Sequence, residues 1–244
     1  MTNLADRLTN AERDQSSPNT RPKDAASLIL VDRTGRKPRV LMGLRHPGHR
    51  FMPNVFVFPG GRVELTDKAM PVHGMLDADS DRRLQLQVTR PSSTRGRALA
   101  AAAIRELYEE TGLMLGTTDA GAPEVPAPSW QPFADKGVFP DLESLNFVFR
   151  AITPPRRPKR FDTRFFAAEA SAICMQVDGM VGPSSELIET RWLTFDETEK
   201  ADLPSITRVI LEELRARIEA GYRRELAVPF YSMQRGRFVR VALD

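Results

Sequence analysis

The run Arg105-Glu106-Leu107-Tyr108-Glu109-Glu110-Thr111-Gly112-Leu113 decides how the fold of this chain is interpreted. Together with the helix-forming residues before it, the run predicts a helix over residues 97–112 that stops at its glycine. At about 100° per residue, Glu106, Glu109 and Glu110 share one face of that helix. Like charges at this spacing destabilise a helix, whereas a bound divalent cation would reverse the penalty. The helix alone therefore leaves two interpretations open, a solvated acidic face and a metal site.

A glycine turn precedes this helix in the chain. Residues 55–58 form a predicted strand, and Phe58-Pro59-Gly60-Gly61-Arg62-Val63-Glu64 closes it abruptly. Two adjacent glycines let the backbone turn sharply and approach a ligand closely. Alone this pattern is also typical of an ordinary turn, but together with the acidic helix it favours a metal site.

The turn and the helix together resemble the signature of the Nudix hydrolases, Gly-x5-Glu-x7-Arg-Glu-U-x-Glu-Glu-x-Gly-U, where U is a bulky aliphatic residue. Residues 105–113 match every specified position of its second half, and Gly61 matches its opening glycine. The resemblance implies a Nudix-type α/β/α sandwich with a mixed β-sheet. It also implies Mg²⁺- or Mn²⁺-dependent hydrolysis of a diphosphate linkage in a nucleotide derivative.

The two halves of the signature are separated by an insertion. Gly61 and Arg105 lie 44 positions apart, about 30 more than in the family, and we place the insertion at about 65–95. Counting back from Arg105, the first signature glutamate falls on Arg97, so we expect that acid to be missing from its place, with Glu64 as a candidate substitute. A split box of this kind resembles the subgroup of the peroxisomal coenzyme A diphosphatase and its bacterial relatives. The segments 51–61 and 160–166 support the subgroup or reflect packing of the fold.

Roles for the signature residues follow from the resemblance. The implied metal ligands are Glu106, Glu110, Glu109 (directly or through water) and the Gly60 carbonyl. Arg105 is expected to hold a box glutamate by an ion pair, with an exposed helix arginine as the alternative. The catalytic set is Glu109, Glu106, Arg105 and Glu186, of which Glu186, in a loop before a predicted strand, is our candidate general base.

Substrate contacts are expected near the glycine turn. Arg45, Arg50 and Gly61 are candidates for binding the diphosphate. The basic run at 156–160 either meets substrate phosphates or forms a solvated loop.

Composition limits the function classes. The 244 residues include 35 basic and 32 acidic side chains, a net charge of +3. This small positive net charge favours a phosphorylated small molecule over nucleic acid as the binding partner. Cys174 is the only cysteine, predicted as a buried strand thiol, which favours a reducing compartment. No apolar run is long enough for a membrane span and no secretory signal is present, so a cytoplasmic protein is expected.

The remaining pattern alternates predicted strands with two clear helices, the box helix and residues 203–220, which indicates an α/β fold. We divide the chain into a disordered or helical leader (1–23), a Nudix hydrolase domain (24–220) and a C-terminal extension (221–244). The extension is expected to be a β-hairpin that packs on the domain or makes a homodimer contact.

Two other functions compete with a diphosphate hydrolase that has coenzyme A or acyl-CoA as its candidate substrate. One is a non-catalytic Nudix-fold nucleotide sensor, against which the intact set of box glutamates argues. The other is an RNA-decapping Nudix enzyme, against which the lack of a concentrated basic stripe argues.

Overall fold

The computed structural model describes residues 3–48 and 52–244. Within them the strands are β1 (Lys23–Asp32), β2 (Arg39–Arg45), β3 (Phe56–Val57), β4 (Gly60–Arg62), β5 (Leu113–Thr117), β6 (Phe139–Pro140), β7 (Asn146–Ile152), β8 (Phe161–Glu169), β9 (Ile173–Gln176), β10 (Leu187–Thr194), β11 (Val228–Gln234) and β12 (Arg237–Leu243). The α-helices are α1 (Leu4–Asn10), α2 (Ala78–Leu84), α3 (Ser93–Thr111), α4 (Gln131–Asp135), α5 (Phe195–Lys200) and α6 (Ser205–Glu219).

A large mixed sheet forms the centre of the fold. Its strand order is β10-β2-β1-β8-β7-β11-β12, with β3 paired to β2 and β4 paired to β1. The pairs β1–β8 and β7–β11 are parallel, and the other pairs in this sheet are antiparallel. A small sheet of order β6-β5-β9 stands beside it. The predicted α/β fold with a mixed sheet is therefore confirmed.

The two faces of the large sheet carry separate apolar cores. Alternate residues of β1 point to opposite faces, as the strand period of two requires. Leu28 and Leu30 pack in the core that contains the alanine-rich face of α3, whereas Ile29 and Val31 pack in the core that contains α6. Each such fully buried side chain contributes roughly 1.5–3 kcal/mol relative to exposure. The sheet thus fixes α3, which carries the box glutamates, on one side and α6 on the other.

The chain ends pack on this sandwich. Helix α1 begins after Asn3, whose side chain accepts a hydrogen bond from the Ala5 N–H. The C-terminal residues form the antiparallel hairpin β11–β12, and β11 extends the sheet by pairing with β7. The hairpin turns at Arg235 and Gly236, both with positive φ. No α-helix in the described ranges combines the length and hydropathy needed to cross a membrane.

The segment between the glycine turn and α3, where we predict an insertion, has structure of its own. It contains a 3-10 turn at Thr66–Lys68 and helix α2. The Ser80 hydroxyl accepts a hydrogen bond from the Phe147 N–H, and the Arg83 guanidinium donates to the carbonyls of Arg224 and Glu225. The insertion is therefore attached both to β7 and to the segment before the hairpin.

One prediction about burial is wrong. Cys174 lies on a strand, β9, as expected, but its side chain is exposed. The residues of β9 alternate, so that Ile173 and Met175 pack against the core while Cys174 points outward. Only one face of β9 is therefore covered by the core.

Candidate active site

Helix α3 presents the box glutamates with a defined orientation. It ends at Gly112, whose φ of 77° is a left-handed conformation and whose N–H donates to the Tyr108 carbonyl at 2.7 Å. Such a glycine stop is favoured because the left-handed region costs glycine little. Ile104, Leu107 and Tyr108 are buried in the core and fix the rotation of the helix. The predicted helix and its end at Gly112 are confirmed.

Arg105 is a buried residue that connects the two halves of the box. Its side chain is 2% exposed, and that of Asp67 is 0% exposed. The guanidinium donates to the Asp67 carboxylate through Nε at 2.8 Å and through Nη2 at 3.1 Å, and to the Arg62 carbonyl at 3.0 Å. Burial by itself would lower the pKa of Arg105, but the hydrogen bonds and charge of Asp67 outweigh it and raise the pKa. Arg105 is not an exposed helix residue.

Asp67 is a candidate site residue that is not among those predicted from the sequence. We expected the first box acid to be missing and considered Glu64 as its substitute, but it is Asp67 whose carboxylate pairs with Arg105. Glu64 contributes its backbone N–H, which donates to Asp67 at 2.7 Å. Counting forward from Gly61 gives position 67 as the acidic position of the signature, with Asp in place of Glu. The added residues therefore lie after Asp67.

Glu106 and Glu109 both interact with the same guanidinium. Arg105 Nη1 lies 2.9 Å from Glu106 Oε1 and 2.8 Å from Glu109 Oε2. Burial, opposed by the charge of Arg105 and reinforced by that of Glu109, raises the pKa of Glu106 to about 7. Burial also raises the pKa of Glu109, again against the effect of Arg105. Arg105 thus positions two of the three box glutamates.

Glu110 is the most buried of the three glutamates, with 6% of its surface exposed. A hydrogen bond from the Gly60 backbone connects it to the glycine turn. Burial, together with the negative charges of Glu186 and Glu106, raises the pKa of Glu110 well above its usual range. Its Oε2 atom is buried and has no hydrogen-bond partner in the described part of the chain.

Gly61 lies directly against the box helix. A Cβ atom at this position would stand 2.5 Å from Glu106 Oε2. Strand β4, which contains Gly60 and Gly61, is fixed by antiparallel pairing with β1. A side chain at this position would therefore displace the Glu106 carboxylate from its observed position.

Gly60, Gly61, Glu106 and Glu110 line one cleft of about 360 Å³, which we call the candidate cleft. Arg105, Asp67 and Glu109 are not among its lining residues. Its carboxylates are Glu106, Glu110 and Glu186; its basic side chains are Arg45, Arg62 and Lys159; its aromatic side chains are Phe58, Phe161 and Phe165. Arg45 Nη2 lies 2.9 Å from Glu186 Oε1, which holds the loop that follows β9 against β2. Of the predicted substrate contacts, Arg45 and Gly61 are in the cleft, and Arg50 lies outside the described residues.

The basic run at 156–160 divides between two roles. Lys159 lines the candidate cleft. The Arg160 guanidinium instead donates to the carbonyls of Thr153 and Thr20 and to the Asn19 side chain. The run is therefore partly a structural loop and partly a wall of the cleft.

The donor set of the candidate cleft fits a hard divalent cation. Carboxylate oxygens are the ligands that Mg²⁺ and Mn²⁺ prefer. A buried carboxylate oxygen without a partner, as in Glu110, and raised carboxyl pKa values are what a cation would relieve.

Another acidic cluster lies elsewhere. Within residues 3–48 and 52–244, the set of three potential ligands whose atoms all lie within 4.8 Å of one another is His73, Asp141 and Glu143. Its imidazole is half exposed and pairs with Asp141 at 3.4 Å, and it contains none of the box residues.

Strand β8 contains residues 161–166 of the segment 160–166, and its alternate side chains lie in two different environments. Arg164 is fully buried and lies 2.9 Å from Asp24 and 3.1 Å from Asp162, while burial lowers its pKa to about 10. Phe161, Thr163 and Phe165, which alternate with these charged residues, line the candidate cleft. The segment therefore both stabilises the sheet and forms a wall of the site.

The NUDIX domain family model matches residues 21–214, well over half of the chain. This chain belongs to the NUDIX family. It is 31% identical over 154 residues to the Caenorhabditis elegans protein named Putative nudix hydrolase 7, a match that covers 59% of this chain and 43% of that protein. The chain thus spans less than half the length of the curated relative that it matches.

Among solved structures, the NUDIX hydrolase from Alicyclobacillus acidocaldarius has a similar fold, with a TM-score of 0.58 and 24% identity. The similarity covers 81% of this chain and 92% of that one. The family match and the similar fold therefore agree on a NUDIX domain.

Proposed function

We propose that this Nudix protein is a divalent-metal-dependent hydrolase that cleaves the diphosphate linkage of a nucleoside diphosphate derivative. The observation that carries the proposal is the candidate cleft, where Glu106, Glu110 and Glu186 face basic side chains. A diphosphate needs cationic groups for its oxygens and a carboxylate for the attacking water. The cleft supplies both kinds of group in one volume.

The Mg²⁺ or Mn²⁺ ion would be held by Glu106, Glu110, Glu109 (directly or through water) and the Gly60 carbonyl. The cation, when bound, neutralises phosphate oxygens and lowers the pKa of a coordinated water. Arg105 positions Glu106 and Glu109 and is itself fixed by Asp67. The two halves of the box would therefore act as one unit.

Glu186 is our candidate for the group that removes a proton from the attacking water. Its side chain is 42% exposed and its carboxylate is oriented by Arg45. A positioned general base typically contributes 10²–10⁴-fold to a rate. Lys159 and Arg62, both exposed at the cleft, are the proposed contacts for the substrate's anionic groups.

Coenzyme A or an acyl-CoA is the substrate that we propose within this class. The support is the resemblance of the split box and of residues 160–166 to the coenzyme A diphosphatase subgroup. The structure adds that Phe161, Thr163 and Phe165 of this segment are exposed to the cleft rather than used only for packing.

A substrate panel tests the proposal. Coenzyme A, NADH, ADP-ribose and capped RNA are incubated with the protein and Mg²⁺ or Mn²⁺, beside Glu110→Gln and Glu109→Gln. Glu189→Gln is the matched control, because Glu189 is a glutamate of β10 that pairs with Arg191 outside the cleft. We expect metal-dependent cleavage of coenzyme A, a loss of at least tenfold in both box variants, and wild-type rates in the control.

Other outcomes separate the alternatives. Binding of these nucleotides without turnover of any of them would favour the sensor. Cleavage of capped RNA with coenzyme A left intact would favour the decapping enzyme. Full activity in both box variants would show that the metal assignment is wrong.

A further inference from the structure

A second depression, which we call the apolar groove, continues from the candidate cleft. It has a volume of about 270 Å³. The residues that line both depressions are Met52, Phe161, Thr163, Phe165, Pro204 and Ile206. Because they share these residues, the groove and the cleft are neighbouring parts of one surface.

The far wall of the apolar groove is built by elements outside the matched family region. Leu8 and Ala11 come from α1 and its end, and Phe238 comes from β12. The family model covers only residues 21–214. The groove is therefore a feature that the two ends of this chain add to the family domain.

This wall is held in place by specific hydrogen bonds. The Phe238 N–H donates to the Thr9 hydroxyl at 2.9 Å, and that hydroxyl donates to the Ala5 carbonyl at 2.8 Å. The Arg13 guanidinium donates to the carbonyls of Leu8 and Thr9, each at 2.8 Å. The wall is thus joined to the sheet rather than attached by apolar contact alone.

The surface inside the groove is mainly apolar and only partly covered. Phe161, Phe165 and Ile206 are half-buried, and Phe165 packs edge-on against Phe149 with ring centroids 5.7 Å apart. Charged side chains in the lining are confined to Glu12, Arg13 and Arg157. Such a surface gains free energy when an apolar chain covers it, and it offers little to a nucleotide or sugar.

We propose that the apolar groove binds a linear apolar chain carried by the diphosphate substrate. The inference rests on the proposed function, because it takes the diphosphate itself to lie in the adjoining cleft. The enzyme then selects diphosphate derivatives with an alkyl or acyl chain over the same compounds without one. Residues near both termini become determinants of this selectivity.

A chain-length series measures the selectivity directly. The ratio kcat/KM is determined for coenzyme A and for saturated acyl-CoAs of increasing length, below their micelle concentrations. We expect kcat/KM to rise about fourfold for each methylene that enters the groove and to level off when the groove is full. Equal values for coenzyme A and every acyl-CoA would overturn the inference while leaving the proposed function intact.

A groove-filling variant locates the effect. Ala11 ends α1 in an extended conformation, with φ −63° and ψ 133°, which a tryptophan also adopts. Ala11→Trp should reduce the preference for a long acyl-CoA over coenzyme A at least tenfold. Ala201→Trp is the matched control, because Ala201 ends α5 at φ −78° and ψ 153° and lines neither depression. If Ala11→Trp keeps the wild-type preference for a long acyl-CoA over coenzyme A, the acyl chain does not bind in the apolar groove.

Two further measurements keep the inference separate from catalysis and from dimerisation. Calorimetric titration of a long acyl-CoA without divalent metal should show binding with a negative heat-capacity change, weakened in Ala11→Trp. If the acyl-CoA binds in this way but no diphosphate is hydrolysed, the proposed function is refuted, whereas the inference that the groove binds an apolar chain is not. A light-scattering mass of a dimer in the wild type and of a monomer in Ala11→Trp would instead show that a second copy occupies the groove, and would overturn the inference.

Discussion

Replacement of Asp67 by asparagine removes the charge that faces Arg105 inside the protein. The Asp67 carboxylate accepts hydrogen bonds from two guanidinium nitrogens and from the Glu64 N–H, and its side chain is 0% exposed. Breaking a buried ion pair by removing one partner costs about 3–5 kcal/mol. Arg105 keeps its bonds to Glu106 and Glu109, so we expect the lower end, about 3 kcal/mol. For a chain of this size that corresponds to a Tm lower by roughly 6–12 °C.

Urea unfolding without divalent metal measures this loss, with Glu64→Gln as the matched control. Glu64 is an exposed acid three residues earlier, and its backbone bond to Asp67 survives the substitution. We expect the control to stay within about 0.5 kcal/mol of the wild type. Turnover of the best substrate should fall in Asp67→Asn, because the guanidinium that contacts Glu106 and Glu109 is no longer held by the Asp67 carboxylate. Wild-type stability and turnover in Asp67→Asn would refute the view that this pair joins the two halves of the box.

Three further predictions follow from single contacts. Gly61→Ala places a Cβ 2.5 Å from Glu106 Oε2, so kcat/KM should fall at least tenfold, whereas Gly35→Ala, whose Cβ would meet its nearest atom at 3.9 Å, should leave kcat/KM unchanged. Gly112→Ala must hold a φ of 77° and would meet a carbonyl oxygen at 2.0 Å, so its free energy of unfolding should fall by more than about 1 kcal/mol in urea titrations. The pKa of Glu106 is raised to about 7, so the folded, metal-free protein retains a proton that the unfolded chain releases near pH 4.5. Stability should therefore fall by up to about 3 kcal/mol as pH rises from 4.5 to 7. Tm profiles should show this fall, reduced in Glu106→Gln and by saturating Mg²⁺; a wild-type profile no steeper than that of Glu106→Gln would contradict it.

The parts of the fold that the sequence predicted are those with strong local patterns. Helix α3, its end at Gly112 and the tail hairpin follow from helix formers, a glycine stop and strand alternation around a turn. Helices α1, α2, α4 and α5 were not predicted as defined helices. They have five to seven residues, too few for a periodic signal, and such short helices form only through tertiary packing.

The candidate site was predictable where the signature is continuous and not where partners are distant. Residues 105–110 were identified as a group because they occupy consecutive turns of one helix. The pairing of Arg105 with Asp67 was missed because counting backward across an insertion gives the wrong register. The environment of β8 was also not predictable from its own residues. Phe161 and Phe165 face the cleft and Arg164 is buried because of where the neighbouring strands lie.

The predicted insertion raises the question of how a box that it divides would assemble. The acid and the arginine of the signature are separated by seven residues in the family and by residues 68–104 here. In a flexible-loop estimate, that lengthening adds only about 1.5 kcal/mol of closure entropy. The hydrogen bonds that Asp67 accepts from Arg105 and from the Glu64 N–H oppose this cost. Because α2 is also tied to β7 and to the segment before β11, the insertion is far from a free loop and its actual closure cost is lower still. Asp67 therefore lies where the uninterrupted signature would place its acid, and the box tolerates a long insertion at this point because the acid comes before it.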